Sequence, residues 1–281
     1  QVGFPIKVGG GFFPKTKELR AVDGVSFTLR PGETLGVVGE SGCGKSTLAR
    51  AVLKLVEPTG GAVTWLGKPL TNATQTDLKK SRKDLQIVFQ DPFASLDPRM
   101  TIGQSIAEPL TVFEPTLSKK TRQTRVREIM PKVGLDPALI NRYPHELSGG
   151  QNQRVGIARA MILQPKLVIC DEAVSALDVS VQAQIVDLLI ELQAEFGLSM
   201  IFISHDLAVV REISHRVMVL YLGRVVELAG RNEIYESPRH PYTKALISAV
   251  PNPDPKQERE REITRLHGDL PSPLDRRASL R

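Results

Sequence analysis

Residues 35–50 read LGVVGESGCGKSTLAR. Leu35, Gly36, Val37 and Val38 form a short apolar run without alternation, the pattern of a strand buried on both faces. Directly after it, Gly39-Glu40-Ser41-Gly42-Cys43-Gly44-Lys45-Ser46 matches G-x-x-x-x-G-K-[ST], and Thr47 continues into a helix-like stretch that reaches residue 55. Strand, glycine-rich turn and helix in that order build a cradle for phosphate. The glycines let backbone N–H groups converge on phosphate oxygens, and the helix N-terminus adds partial positive charge. Lys45 then reaches the β and γ phosphates, and Ser46 supplies a hydroxyl for Mg²⁺. Residues 39–47 are the predicted nucleotide-binding loop.

Three further apolar runs lack alternation, at residues 85–89, 167–170 and 200–203. Such strands belong to a parallel sheet covered by helices. Between the last two, Ile185, Leu188, Leu189 and Leu192 follow the i, i+3, i+4, i+7 spacing of an amphipathic helix, so the central architecture is α/β. The pair Asp171-Glu172 follows the run at 167–170. Mg²⁺ needs a carboxylate and an attacking water needs a base, which assigns Asp171 to the cation, through water, and Glu172 to polarising the nucleophile.

The segment 98–143 shows helical patterning at 101–112 and 119–133 and no strand, and reads as an inserted helical subdomain. Val22, Val25, Phe27 and Leu29 ahead of Pro31-Gly32, with residues 62–66, read as antiparallel strands joined by turns. The expected organisation is an α/β core with an antiparallel β subdomain over 1–97 and 144–250, the helical insert over 98–143, and a polar C-terminal extension over 251–281.

Composition closes off other classes. With 281 residues, 41% hydrophobic and 24% charged, the chain is globular rather than collagen-like, disordered or coiled-coil. No uncharged stretch approaches the length of a membrane span, and no basic patch followed by an apolar core opens the chain. The net charge of +6 is spread out and only 5% of residues are aromatic, so nucleic acid is not an expected partner. Cys43 and Cys170, the only cysteines, suit free thiols in a reducing compartment and belong to no metal-spaced cluster.

Leu147-Ser148-Gly149-Gly150-Gln151 is more specific than the loop or the acidic pair. With it the chain resembles the ATP-binding subunits of ABC transporters. The order of segments fits throughout residues 22–206: Gln90 after a strand, the LSGGQ signature, the acidic pair, Ser175-Ala176-Leu177-Asp178, and His205 after another strand. The resemblance implies an ABC-type phosphate-loop ATPase that binds ATP and Mg²⁺ and docks head to tail with a second ATPase subunit. Ser148, Gly149, Gly150, Gln151 and Asp178 would then act on the partner's nucleotide. It further implies that Gln90 senses Mg²⁺ and the attacking water, and that the segment after it faces membrane subunits. His205 would bond the γ phosphate and hold Glu172, and Phe13, with Phe12 in reserve, would stack on adenine. The other histidines, His145, His215, His240 and His267, read as structural or surface residues.

Two segments narrow the resemblance to oligopeptide and dipeptide importers: residues 90–110, QDPFASLDPRMTIGQSIAEPL, and SPRHPYTKAL at 237–246 followed by VPNPDP at 250–255. The narrower resemblance implies a subunit at the cytoplasmic face of the cell membrane that powers short-peptide uptake. Its partners would be two membrane-spanning permease subunits and an extracytoplasmic peptide-binding protein. Importers of other small solutes such as glutathione or nickel complexes, and soluble ABC ATPases, stay open as alternatives. Two departures stand out. Ala173 occupies a position where the family usually has proline, and no cysteine-rich segment follows Pro271-Ser272-Pro273, so no iron–sulfur site is expected.

Overall fold

The computed structural model of the chain describes residues 1–8 and 15–250. In chain order the strands are β1 (Val2–Val8), β2 (Lys15–Val22), β3 (Thr34–Val38), β4 (Thr64–Trp65), β5 (Lys68–Pro69), β6 (Leu85–Val88), β7 (Leu167–Asp171), β8 (Ser199–Ile203), β9 (Arg216–Tyr221) and β10 (Arg224–Gly230). The helices are α1 (Lys45–Val52), α2 (Gln75–Asp84), α3 (Ile102–Phe113), α4 (Lys119–Lys132), α5 (Gly149–Met161), α6 (Val179–Phe196), α7 (Leu207–Ile213), α8 (Arg231–Glu236) and α9 (Pro241–Ser248). Among the described residues no helix is long and apolar enough to cross a membrane. The chain divides into two compact units, one of Leu29–Leu35 and Ala73–Ser204, the other of Gln1–Thr28, Gly36–Asn72 and the residues from His205 onward.

In the first unit the strand order is β3-β8-β7-β6. β6, β7 and β8 run parallel, with Leu85 opposite Leu167, Leu167 opposite Ser199 and Asp171 opposite Ile203. Every position of β7 and β8 is buried, which is why their sequences do not alternate. The four residues that mark α6 as amphipathic, Ile185, Leu188, Leu189 and Leu192, all lie in the core.

The two stretches with helical patterning, 101–112 and 119–133, form α3 and α4. Thr101 closes a capping box with Gln104 at the start of α3, and the Ser118 hydroxyl accepts the Thr121 N–H at the start of α4. Ile102, Ile106 and Leu110 of α3 and Met130 of α4 are fully buried, and α3 packs against both α4 and α5.

In the second unit β1 and β2 pair antiparallel, with Phe4 opposite Leu19. β9 and β10 form an antiparallel hairpin, and here the order is β10-β9-β3. The hairpin turns on Leu222-Gly223, whose φ angles of 47° and 79° place both residues in the left-handed region that a two-residue hairpin loop demands.

The N-terminal strand reading needs correction. Val22 lies in β2, but residues 23–33, with Val25, Phe27 and Leu29, form no strand. Burial does alternate there, since these three are half-buried and Ser26, Thr28 and Arg30 are exposed. The apolar alternation is real, yet the segment has no ladder partner among the described residues and is bracketed by Gly24 and Gly32, both with positive φ. Antiparallel pairing comes instead from β1 with β2, and residues 62–66 contribute only the two-residue β4, paired with β5.

Candidate functional site

The loop at residues 39–47 closes on itself around a lysine. Lys45 is only 4% exposed, and its Nζ donates to the carbonyls of Gly39 at 2.8 Å and Glu40 at 2.9 Å. Gly44, the N-cap of α1, has φ 105° and no side chain with which to cap the helix, and a Cβ there would run into the Ala21 carbonyl. The first N–H groups of a helix have no intrahelical partner, so an uncapped glycine entry leaves donors for an anion. Ser41 and Gly42 are exposed, and Ser46 and Thr47 are half-buried.

The loop is held from outside by the β9–β10 turn and by α9. Gly223 N–H donates to Cys43 O at 2.9 Å, Asp23 N–H donates to Gly223 O at 2.8 Å, and the Asp23 carboxylate accepts from Arg224 at 2.8 and 3.1 Å. Glu40 N–H donates to the Tyr242 hydroxyl at 3.1 Å. Burial pushes the Cys43 thiol up, against the opposing effect of Lys45. His205 belongs to this same unit, is exposed, and precedes Asp206, whose carboxylate accepts the N–H groups of Ala208 and Val209 at the start of α7.

The other candidates lie in the first unit. Asp171, 5% exposed, ends β7, and Glu172 follows with φ 51°, a left-handed conformation for a non-glycine residue. Glu172 is tied on three sides. Its N–H donates to Ile203 O at 3.0 Å, its carbonyl accepts the Ser175 hydroxyl at 2.9 Å, and its Oε2 accepts from Gln90 Nε2 at 3.0 Å. Gln90 also reaches Ser175 Oγ at 3.5 Å. The topology makes this meeting unavoidable: β6 and β7 are parallel neighbours with Val88 opposite Cys170, so the residues leaving both strands emerge on one edge. Burial, with the neighbouring Asp171, pushes the Cys170 thiol up to about 12, and both cysteines are free thiols, as expected.

Beyond Gln90, Asp91 Oδ1 accepts the N–H groups of Phe93 and Ala94, and Arg159 of α5 donates to Ser95 O at 2.8 Å while pairing with Glu108 at 2.7 Å. The signature opens α5. Ser148 is its N-cap in a capping box: the hydroxyl accepts Gln151 N–H at 3.3 Å, and Gln151 Oε1 accepts Ser148 N–H at 2.9 Å. Buried Asn152 fixes the approach by donating to the carbonyls of Pro144 and Leu147. A Cβ on Gly149 would touch Leu177, and one on Gly150 would stand 2.6 Å from Val181 Cγ1. Asp178, exposed at the N-cap of α6, makes no side-chain cap bond.

The structure thus groups residues 39–47 with His205 in one unit, and Gln90, Asp171, Glu172, the signature and Asp178 in the other. Phe13 and Phe12 lie outside the described residues. The supports of the loop, Tyr242 and Gly223, were not among the candidates. Tyr242 does sit in the SPRHPYTKAL segment at 237–246, which marked a branch without revealing a role.

Comparison with known proteins identifies the family. The family model described as ABC transporter matches residues 22–175, and that described as oligopeptide/dipeptide transporter, C-terminal region, matches residues 226–278. Over 278 residues the chain is 61% identical to the oligopeptide transport ATP-binding protein OppF of Salmonella typhimurium, covering 98% of this chain and 83% of that protein. Identity to the oligopeptide transport ATP-binding protein AppF of Bacillus subtilis is 53% over 273 residues, 97% of this chain and 82% of the other. Among solved structures, the ATP-binding cassette MJ0796, dimeric and bound to ADP and Pi, superposes with a TM-score of 0.69 at 29% identity, covering 81% of this chain and 96% of that one. CbiO1 from Clostridium perfringens, part of the ABC transporter complex cbiONQ, gives 0.69 at 29% identity over 77% and 84%. By these matches the chain belongs to the ABC transporter family, with that family's oligopeptide/dipeptide transporter C-terminal region.

Proposed function

We propose that this chain is the ATP-binding and ATP-hydrolysing subunit of an ABC importer that drives uptake of short peptides. The observation that carries the reading is the pair of glycine-rich helix N-termini on one chain. One follows the phosphate loop with its buried Lys45, and the other is the Ser148-capped signature. A hydrolase that needed only its own loop would have no use for the second. Two copies, or this chain and a homologous ATPase, would dock head to tail, with Ser148, Gly149, Gly150, Gln151 and Asp178 meeting the nucleotide on the partner's loop.

In that arrangement residues 39–47 receive the phosphates of ATP, and Lys45 exchanges its carbonyl partners for phosphate oxygens. Glu172 takes the proton from the attacking water, while Gln90 holds the Glu172 carboxylate and the water in register. His205 bonds the γ phosphate, and Phe13 stacks on adenine. Ser46, Gln90 and Asp171 would hold Mg²⁺. They offer hydroxyl, amide and carboxylate oxygen, the hard donor set this cation takes. Among the described residues no cluster of three or more His, Cys, Asp or Glu is placed to hold a metal alone, so the remaining ligands would be phosphate and water. When bound, the cation neutralises charge that builds on the phosphates.

Residues 98–143 would be the helical subdomain that reports nucleotide state to two membrane-spanning permease subunits. A groove of about 200 Å³ between β6, α3 and α5 supports this. Phe89 and Val112, 40 and 46% exposed, line the groove, and Phe93 is 51% exposed. The subunit would sit at the cytoplasmic face of the membrane, with an extracytoplasmic binding protein delivering the peptide. The test is ATP-dependent uptake of labelled short peptides into vesicles carrying the assembled complex. Lys45→Ala is expected to abolish uptake, and uptake at the wild-type rate would overturn the reading.

A further inference from the structure

The phosphate loop is shaped by a residue two hundred positions away. Tyr242, in the first turn of α9, is 3% exposed, and its ring meets that of Tyr221 at 4.4 Å. Its hydroxyl accepts the Glu40 N–H at 3.1 Å. That N–H and the Gly39 carbonyl belong to one peptide plane, and the Gly39 carbonyl is the group that accepts from Lys45 Nζ at 2.8 Å. A peptide group is rigid, so whatever fixes the N–H also aims the carbonyl on its other side. The tyrosine hydroxyl therefore sets the carbonyl that holds the lysine ammonium.

The contact is built rather than incidental. Glu227 of β10 accepts the N–H of Arg239 at 2.9 Å on one carboxylate oxygen and that of His240 at 3.0 Å on the other. His240 Nδ1 in turn accepts the Tyr242 N–H at 3.1 Å. Tyr221, against which the ring packs, leads into the turn whose Gly223 N–H donates to Cys43 O. One chain of contacts thus runs from Glu227 through α9 to Glu40. A second runs from Tyr221 to Cys43, and both end on the loop. Burial pushes the Tyr242 phenol further up from its ordinary value, so it stays a neutral hydroxyl across the physiological range.

We propose that Tyr242 is a positioning residue for ATP, through which the oligopeptide/dipeptide transporter C-terminal region sets the nucleotide affinity of the phosphate loop. The proposal rests on the reading that residues 39–47 bind ATP. Removing the hydroxyl releases the Gly39–Glu40 peptide plane. The loop and Lys45 must then be ordered at the moment of binding, and the affinity lost corresponds to about one hydrogen bond, a threefold to tenfold effect.

The experiment titrates the full chain with ATP and Mg²⁺ by calorimetry, comparing wild type, Tyr242→Phe, Glu227→Ala and Lys45→Ala, and records the melting temperature of each without nucleotide. Tyr242→Phe is expected to raise Kd about threefold to tenfold while the unliganded melting temperature stays within about two degrees of wild type. In the assembled transporter it raises KM for ATP and leaves kcat within twofold. Glu227→Ala, which removes the carboxylate that holds the start of α9, moves Kd in the same direction. A Kd for Tyr242→Phe within twofold of wild type, beside a Lys45→Ala that does not bind, overturns this proposal alone. Lys45→Ala binding as tightly as wild type overturns the phosphate-loop reading and this proposal with it.

Discussion

Glu172→Gln separates nucleotide binding from hydrolysis, and the structure sets the size of each effect. Gln90 Nε2 donates to Glu172 Oε2 at 3.0 Å, and the carbonyl of a glutamine in the same place still accepts that bond. Exchanging a charged acceptor for a neutral one roughly halves the bond, a ground-state cost of about 1 kcal/mol. The backbone contributes nothing to the difference. Glu172 already sits at φ 51°, and glutamine, also unbranched, meets the same left-handed cost. The loss of a general base is larger, about 10²- to 10⁴-fold, or about 3–5 kcal/mol on the barrier. Chemistry is therefore stopped in a site whose geometry is barely disturbed, and the nucleotide-bound pair accumulates. The assay is single-turnover hydrolysis of labelled ATP, with light scattering of the same sample with and without ATP and Mg²⁺. The expected result is hydrolysis slowed at least a hundredfold, ATP affinity within a few-fold of wild type, and a mass rising from 30.9 kDa toward twice that value. Hydrolysis within tenfold of wild type would refute the assignment of Glu172 as the base. A slow variant that binds ATP and stays monomeric would instead show that pairing requires a different ATPase subunit.

Three other perturbations have distinct signatures. Ser148→Arg places a long cation at the entry of α5, where it should block docking of the second subunit and stop steady-state hydrolysis while ATP binding to the monomer is unchanged; normal turnover would argue against a composite site. Gly150→Val forces a Cβ to within 2.6 Å of Val181 Cγ1, an overpacking that costs about 1–3 kcal/mol, and the fall in melting temperature, several degrees at this size, is read by calorimetry. Glu114 bonds Lys83 at 2.8 Å and Arg125 at 2.6 Å. Lys83 first and Arg125 next hold its carboxyl below the usual carboxylate value. A lowered folded-state pKa stabilises above the unfolded value and is lost as the pH falls through the folded one. Glu114→Gln should therefore melt below wild type at pH 7, with the gap closing under acid below about pH 4.5, the unfolded value. A gap independent of pH would exclude the carboxylate as its source.

How much of the fold and site was legible in the sequence depends on where the physical signal lies. A strand buried on both faces leaves a run without alternation, so β3, β6, β7 and β8 could be read directly, and the residues that leave such strands on a parallel sheet must share an edge. That is why Gln90 and Glu172, 82 positions apart, stand 3.0 Å apart as the topology implies. A capping box is equally local, and Ser148 and Gln151 stand at its S-x-x-Q spacing, which the motif reading passed over. Val25, Phe27 and Leu29 misled because alternation records which side of a segment is covered, and says nothing about whether a neighbour accepts its backbone hydrogen bonds. The supports of the phosphate loop were hidden for the converse reason. Glu40 N–H to Tyr242 and Cys43 O to Gly223 each join a backbone group to a distant partner, and the backbone of any residue would present the same group.

The same contrast separates two kinds of constraint on the chain. Groups that would touch phosphate are constrained by its chemistry, whereas the parts that hold them need only deliver one acceptor or donor to the right peptide plane, and any fold element that reaches can do so. Here the element that reaches is α9, inside the stretch matched by the oligopeptide/dipeptide transporter C-terminal region. Tyr242 of that stretch reaches residues 39–47 through the bond from the Glu40 N–H to its hydroxyl, while Glu227, in the same stretch, fixes the start of α9. On the proposed role of Tyr242, a change in α9 would shift ATP affinity with no change in residues 39–47.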